Sequence, residues 1–240
     1  MNKINSTYTS LIALVLSIAA IVVCVLCANC SKKDAYIEEA LMNNPKMIIN
    51  AMQNYEKQMM EEKQKEAMKA IEDNLKEVVS DDAGVIANPD GEIVLVEFFD
   101  FSCGYCHKVS STLLDIAAKN PNVKIIGREL TFLGPISQYA AKVALAAKEQ
   151  GKYAEIYKAL LTNEGKLTEA KIDELAVLNG VDLEKLKADM NSETIAAQLA
   201  KTNETAGKIQ IRGVPTLILN GKMIQGIDAE TIQKAIDEAK

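Results

Sequence analysis

Hydrophobic and polar positions divide the chain into three parts that differ in periodicity. An uncharged apolar run extends from Leu11 to Ala28. The segment 32–82 has apolar positions three and four residues apart, which is the spacing of one face of a helix. From Ala83 onward, short apolar runs alternate with helical patterns, as is typical of an α/β domain. The pattern predicts an apolar N-terminal segment over 1–31, a helical stalk over 32–82 and an α/β domain over 83–240.

Two apolar stripes lie on the predicted stalk. Ile48, Met52, Tyr55 and Met59 form the first stripe, and Met68, Ile71, Leu75 and Val78 form the second. Between them, the segment Glu61 to Glu66 contains no apolar residue. A helix with a narrow apolar stripe and no domain beneath it needs a partner helix, so the stalk predicts self-association. The alternative is that this helix packs on its own globular domain.

The domain after Ala83 begins with the pattern of a βαβ unit. Residues 84–91 predict a strand and a hairpin loop, because Asn88-Pro89-Asp90-Gly91 is a turn sequence. A buried strand, a helix and a parallel strand are then predicted over Ile93–Phe99, Cys103–Asn120 and Val123–Leu130.

A helical block and a hairpin complete the domain. Residues 135–207 predict a helical insertion with breaks at 151, 163–165 and 179–180. Strand character returns over Ile209–Asn220, Asn220-Gly221 is a hairpin turn sequence, and Asp228 caps a last helix from Ala229 to Lys240. The summed order predicts an α/β, thioredoxin-like fold with an inserted helical domain, preceded by an N-terminal helical stalk.

Composition narrows the classes of function. The formal net charge of −6, without a basic stripe, argues against nucleic-acid binding. His107 is the only histidine, so histidine-rich metal sites and a Ser-His-Asp triad elsewhere in the chain are excluded. We expect neither a bound cofactor nor a metal site.

The apolar run at the N-terminus is preceded by Lys3 and polar residues, which is typical of a signal sequence or a single membrane anchor. Whether it is cleaved, retained or lipidated at Cys30 stays open. Both interpretations predict export to the periplasm or another extracytoplasmic compartment, where disulfides persist. Cys24, Cys27 and Cys30 are interpreted as small apolar residues of this segment.

The strongest chemical signal is Cys103-Gly104-Tyr105-Cys106, at the predicted strand-to-helix junction. Two thiols at this spacing can close a disulfide ring and reopen it. Cys103 would lie at a helix N-terminus, whose unpaired N–H groups and dipole favour a thiolate, so it is the predicted exposed attacking sulfur. Cys106, one turn further in, is the predicted buried resolving thiol. Gly104 keeps the turn open, and Tyr105 adds an aromatic surface beside the sulfur.

Two further residues near the cysteines are candidates. Glu97 is an acid inside an apolar strand and shares a face with Phe99, so we expect it to be buried with a raised pKa. The alternative is a strand glutamate that faces solvent. His107 follows the cysteines in the same helical turn and is either a cation that stabilises the thiolate or an exposed helix residue.

Two segments carry a resemblance to a known family. Glu97-Phe98-Phe99-Asp100-Phe101-Ser102-Cys103-Gly104-Tyr105-Cys106 and Gly213-Val214-Pro215-Thr216 resemble the DsbA family of bacterial disulfide oxidoreductases. The stalk, with Asn43-Asn44-Pro45, is similar to the N-terminal helices of ScsC-type proteins, whose stalks trimerise.

The resemblance implies roles for individual residues. Glu97 would lie beneath the disulfide and assist proton transfer to the buried cysteine. Pro215 would follow a cis peptide bond and rest against the cysteines, so that the backbone of Val214 pairs with substrate as an added strand would. The family's influential histidine lies where this chain has Tyr105, so His107 does not inherit its role.

The resemblance also implies an exported thiol–disulfide oxidoreductase that acts on cysteine-containing exported proteins. A membrane redox partner and a homo-oligomer formed through the stalk are expected with it. The dipeptide Gly104-Tyr105 matches the disulfide isomerase DsbC, and an oligomerising stalk suits an isomerase, whereas Val214 resembles oxidases. We therefore predict isomerase or shuffling activity, with a DsbA-type dithiol oxidase as the alternative.

Two interpretations belong to other classes of protein. A stalked holdase would use the Met-rich helix as a binding surface. A copper-handling protein would bind Cu(I) through Cys103 and Cys106.

Overall fold

The computed structural model describes the backbone of residues 3–80 and 82–240, and their side chains except those of 3–7, 9–10 and 25–35. Contacts divide the chain into two units, 1–63 and 64–240.

The first unit contains helix α1 (Lys3–Asn43) and the beginning of helix α2 (Pro45–Asp73). Proline suits the first position of a helix, because its fixed φ is helical and no N–H is needed there. Among the helices that the structure describes, none is both long enough and apolar enough to span a bilayer. Cys24 is an exposed free thiol, and Cys27 and Cys30 lie outside the described residues.

The first stripe of the stalk is exposed in this unit. Ile48, Met52 and Tyr55 have 43%, 58% and 64% of their surface exposed. These apolar side chains on one helix face are therefore exposed within the described part of this unit. A surface used for self-association would have to be exposed in this way.

The second unit is built on a mixed sheet of five strands in the order β1-β3-β2-β4-β5. The strands are β1 (Gly84–Ala87), β2 (Ile93–Phe99), β3 (Val123–Glu129), β4 (Thr216–Leu219) and β5 (Lys222–Met223). Strands β2 and β3 are parallel, and the other pairs are antiparallel. The buried βαβ unit and the final hairpin are confirmed.

Helices surround the sheet. The short helix α3 (Leu75–Val78) precedes it, and α4 (Gly104–Lys119) connects β2 to β3. The inserted block consists of α5 (Pro135–Lys148), α6 (Tyr153–Leu161), α7 (Glu169–Leu178), α8 (Leu183–Asp189) and α9 (Glu193–Lys208), and α10 (Ala229–Glu238) ends the fold. The breaks were placed correctly: Gly151, Gly165 and Gly180 all have positive φ. The α/β fold with an inserted helical domain is therefore confirmed.

Two predicted details are wrong. Strand β1 pairs with β3 rather than forming a hairpin with β2, because the Asn88 side chain ties the loop to the carbonyls of Ala117, Asn120 and Val123 at the α4–β3 junction. Strand β4 starts at Thr216 instead of residue 209. Residues 209–211 instead follow the end of α9. There the Ile211 N–H donates to the Ala206 carbonyl at 2.9 Å.

Two residues of the second stripe pack inside the second unit, whereas Met68 stays 43% exposed. Ile71 and Val78 are completely buried against Phe98 and Ile126 on one face of the sheet. For these residues, the alternative in which the helix packs on its own domain is correct. The two units meet between residues 63 and 64, whereas the sequence places a boundary after Asp82.

Arg128 connects this segment to the sheet from a fully buried position on β3. Its guanidinium donates to the carbonyls of Val78 and Ser80 at 2.8 and 3.1 Å, and to the carbonyl of Glu77. It also lies 3.3 Å from a carboxylate oxygen of Asp82. Partial burial raises the pKa of Asp82, but hydrogen bonds from Lys201 and Ser80 and the charge of Arg128 outweigh it and lower this pKa to about 2.

We expect Arg128→Met to lower the free energy of unfolding by about 3 kcal/mol or more, because it leaves buried carbonyls without a donor. Urea denaturation of the purified protein measures this loss. Lys158→Met, which removes an exposed cation on α6, should change stability by less than about 0.5 kcal/mol. Equal stabilities of the two variants would contradict the role of Arg128.

Candidate active site at the start of helix α4

The two cysteines lie at the beginning of α4, shortly after the end of β2. Cys103 is the N-cap residue, and its carbonyl accepts from the His107 N–H at 3.1 Å. Both cysteines are free thiols. Cys103 is 9% exposed and Cys106 is completely buried. The order of accessibility is as predicted, although Cys103 is less exposed than expected.

The loop before β4 completes the site from the other side. The Cys103 thiol donates to the carbonyl oxygen of Val214 at 3.6 Å. The peptide bond between Val214 and Pro215 is cis, as the resemblance implies. A Cβ at Gly104 or at Gly213 would meet no atom within 4 Å, so both segments next to the thiol are open on their outer side. This arrangement leaves open space beside Gly104 and Gly213.

Glu97 faces the interior from the middle of β2, as expected. Its side chain is completely buried, and the Tyr157 hydroxyl on α6 donates to Oε2 at 2.6 Å. Oε1 has no hydrogen-bond partner in the part of the chain that the structure describes. Burial raises the pKa of Glu97 to about 8, against the opposing effect of the Tyr157 hydrogen bond. Glu97 is therefore an uncharged acid at neutral pH.

Cys106 and Glu97 influence each other electrostatically. Burial raises the pKa of the Cys106 thiol, the backbone of Asp100 lowers it through a hydrogen bond, and the charge of ionised Glu97 raises it further. A thiol in this environment stays protonated unless a neighbouring group accepts its proton. Glu97 is the titratable group whose ionised form acts on this thiol.

Aromatic side chains enclose the acid. The Phe99 ring lies edge-on to Phe101 and Tyr157, with centroid distances of 4.9 and 5.2 Å. All three residues are almost completely buried. Because they hold water away from Glu97, they maintain the low polarity that keeps the carboxyl group protonated.

The structure shows no hydrogen bond between His107 and the sulfur of Cys103 or Cys106. Its Nε2 is 2.8 Å from the carbonyl oxygen of Phe101, so the ring contacts the backbone just before the cysteines. The ring also lines a cavity of about 320 Å³ together with Leu133, Pro135 and Lys166. Its predicted effect on the thiolate stays a prediction.

The outer surface of the site is aromatic and basic. Tyr105 is 65% exposed, and the Lys108 ammonium lies 5.4 Å from the centroid of its ring. Phe132 and Leu133 are also more than half exposed. The Leu133 N–H donates to the buried carboxylate of Asp100 at 3.2 Å, which ties this apolar loop to the segment before Cys103.

Sequence reasoning missed Asp100 and Tyr157. Asp100 is completely buried and accepts from the Ser102 N–H at 2.8 Å, which shapes the turn into α4. An aspartate two residues before a serine is a signal for such a turn. Tyr157 approaches Glu97 from a helix of the insertion, and no local pattern links residues so far apart. In the described part of the chain, no group of three or more His, Cys, Asp or Glu side chains is placed to hold a metal ion.

Comparisons with known proteins agree with this geometry. The family model of the DSBA-like thioredoxin domain matches residues 94–237. The probable disulfide bond formation protein D of Bacillus cereus is 28% identical over 170 residues, which cover 64% of this chain and 76% of that protein. A Na⁺/H⁺ antiporter NhaA 1 of Salinispora arenicola is 27% identical over 153 residues. The matched residues cover 62% of this chain but only 24% of the antiporter. The chain therefore spans about a quarter of the length of the first curated relatives that it matches.

Solved structures share the fold. A thioredoxin-like oxidoreductase from Silicibacter pomeroyi is 32% identical, with a TM-score of 0.65 over 68% of this chain and 96% of that one. Proteus mirabilis ScsC in a transitional conformation is 20% identical, with a TM-score of 0.64 over 88% of this chain and 96% of that one. At this identity, the likeness to ScsC concerns the fold alone.

Glu97→Gln should change how stability depends on pH. The carboxyl group ionises near 4.5 when unfolded but near 8 when folded, so the folded state holds an extra proton between these values and loses stability as pH rises through them. The wild type should lose on the order of 4 kcal/mol more than Glu97→Gln between pH 5 and pH 8.

Denaturation in urea at the two pH values measures this difference. The exposed Glu92→Gln is the matched control and should follow the wild type. An equal loss in the wild type and in Glu97→Gln would show that Glu97 is not held as a neutral acid.

Proposed function

The chain belongs to the DSBA-like thioredoxin domain family, and from this premise we propose that it is a thiol–disulfide oxidoreductase of exported proteins. One observation carries the proposal. Cys103 starts a helix and contacts the carbonyl of Val214 beside a cis peptide bond, while Cys106 lies one turn deeper near the neutral acid Glu97. An accessible thiol, a buried second thiol and a carboxyl group whose ionised form can accept a proton are the three parts of the exchange that we propose.

The first step takes place at the accessible sulfur. The Cys103 sulfur, as a thiolate at the α4 N-terminus, attacks one sulfur of a substrate disulfide. A Cys103–substrate disulfide forms, and the other substrate sulfur leaves as a thiolate. That thiolate can attack a different disulfide of the substrate and eventually release Cys103 unchanged, which is net shuffling without net oxidation or reduction.

The second route uses Cys106. Its proton passes to the ionised form of Glu97, and the resulting thiolate attacks the Cys103 sulfur of the mixed disulfide. The Cys103–Cys106 disulfide forms, and the substrate leaves reduced by two electrons. Run in reverse, the same steps transfer a disulfide to the substrate. The unpaired Oε1 of Glu97 is the acceptor atom.

Substrates are cysteine-containing exported proteins in extended conformation. The backbone at Val214 provides strand-like pairing, as an edge strand would. Exposed Tyr105, Phe132 and Leu133 offer apolar contact on the surface around the site. Such contacts suit incompletely folded chains, whose apolar residues are accessible. A membrane redox partner that resets the cysteines, and a periplasmic location, complete the proposal.

Shuffling is the direction that we favour. The exposed first stripe of Ile48, Met52 and Tyr55 supports self-association, which separates active sites and hinders the partner that reoxidises a monomeric oxidase. The dipeptide Gly104-Tyr105 supports the same direction. A dithiol oxidase is the second candidate, since Val214 before the cis bond resembles oxidases.

The purified protein in a glutathione redox buffer should reactivate scrambled ribonuclease at least about tenfold faster than the buffer alone, because Cys103 offers an attacking sulfur at the start of α4. Cys103→Ser should abolish the gain, and Cys24→Ser, which removes another free thiol, should retain it. Oxidation of reduced ribonuclease without reactivation of the scrambled form would instead establish the oxidase. Binding of unfolded protein that survives Cys103→Ser would indicate a holdase.

Self-association is tested in the same assay. Met52→Glu places a charge in the first stripe and should convert the oligomer to a monomer in sedimentation velocity, with loss of reactivation. Gln53→Glu adds the same charge at an exposed position outside the stripe and should leave the assembly intact. A wild type that sediments as a monomer would remove the stalk from the proposal.

A further inference from the structure

One buried carboxylate joins the two segments that border the candidate site. Asp100 directly follows the last residue of β2, Phe99, and is completely buried. Its Oδ1 accepts from the Ser102 N–H at 2.8 Å, and its Oδ2 accepts from the Leu133 N–H at 3.2 Å. Ser102 lies in the turn into α4, and Leu133 lies in the loop between β3 and α5. The side chain therefore holds the two segments together beyond the point where the pairing of β2 with β3 ends.

The main chain of the same residue contacts both cysteines. Its carbonyl oxygen accepts from the Cys103 N–H at 2.9 Å, and its backbone hydrogen-bonds to the Cys106 thiol. Burial raises the pKa of this thiol, and the bond from Asp100 opposes that effect. A hydrogen bond that lowers the pKa of a thiol stabilises the thiolate, which is the form in which Cys106 attacks a mixed disulfide.

The cap of α4 does not hold this segment in place. Cys103 is the N-cap residue, but its side chain makes no cap hydrogen bond. A buried carboxylate is costly unless hydrogen bonds replace its lost hydration, and two main-chain N–H groups do so for Asp100. An asparagine in the same orientation could accept only one of these bonds, because its amide nitrogen is a donor. Both oxygens of the aspartate are therefore needed to hold both segments.

We propose that Asp100 is a positioning residue for the step in which Cys106 resolves a mixed disulfide. Its carboxylate fixes the turn and the loop, and thereby holds the backbone group that bonds to the Cys106 sulfur. The proposal rests on the proposed function, in which the Cys106 thiolate attacks the Cys103 sulfur, the Cys103–substrate bond breaks and the substrate sulfur leaves as a thiolate. Glu97 on β2, Tyr157 on α6 and Cys103 are the titratable groups that act on Cys106 or respond to it.

Dithiobis(nitrobenzoate) separates the two steps of the reaction in the reduced full chain. A background with Cys24→Ser, Cys27→Ser and Cys30→Ser leaves only the two thiols of the site. Attack by Cys103 releases the first nitrothiobenzoate, at a rate that depends on reagent concentration. Resolution by Cys106 releases the second at a rate that does not depend on it. Cys106→Ser in this background should release only the first, which assigns the two phases.

Asp100→Asn should slow the second phase about tenfold at pH 7 and move its pH profile upward by about one unit, because the Cys106 thiolate loses stabilisation. Asp100→Ala, which removes both acceptors, should slow it further. Loss of the carboxylate charge cannot explain that order, because both variants lose it equally and its loss would favour the thiolate. Asp115→Asn, at an exposed aspartate of α4, is the matched control and should react as the wild type does.

Urea denaturation checks that each variant is folded, and Asp100→Asn, the milder change, decides if Asp100→Ala is not. A second phase in folded Asp100→Asn that is as fast as in the wild type, or faster, overturns the proposal. A wild type that releases only the first nitrothiobenzoate would instead overturn the exchange chemistry of the proposed function, and the role of Asp100 with it.

Discussion

Glu97 lies in the middle of the central strand as a completely buried carboxyl group with a single hydrogen bond, donated by Tyr157. The surrounding structure must keep this group dry, because water would stabilise its charged form and lower the cost of ionisation. Three elements meet that constraint. The aromatic residues Phe99 and Phe101 exclude solvent, helix α6 from the insertion supplies the hydroxyl, and α4 covers the carboxyl group with Cys106.

The inserted helices thus contribute to the candidate site as well as to the core. In a sheet that carried α4 alone, Glu97 would have no donor for its carboxyl group. With α6 in place, the acid is held near a thiol whose own pKa is raised by burial, and the charge of ionised Glu97 disfavours ionisation of that thiol. The Cys103 sulfur lies at the helix N-terminus, 3.6 Å from the carbonyl oxygen of Val214, where we propose that it reacts with substrate.

Local patterns predicted the elements, whereas long-range contacts decided what they do. The apolar run of β2 and the spacing of the two cysteines are contiguous signals, so the site was located from the sequence. The roles of Arg128 and Tyr157 depend on segments that the chain brings together only when it folds. Arg128 donates to the carbonyls of residues 77, 78 and 80, and Tyr157 donates to Glu97 from α6. An arginine in a strand or a tyrosine in a helix carries no periodic signal of its partner.

The most direct test of the account is the rate of alkylation of each cysteine in the reduced protein, resolved by tandem mass spectrometry. Cys103 should react with iodoacetamide, and Cys106 should react at least about a hundredfold more slowly, since only a thiolate reacts and Cys106 is buried as a thiol. Denaturation in urea should make the two rates equal. Equal rates in the folded protein, or a faster reaction at Cys106, would contradict the division of roles between the two sulfurs.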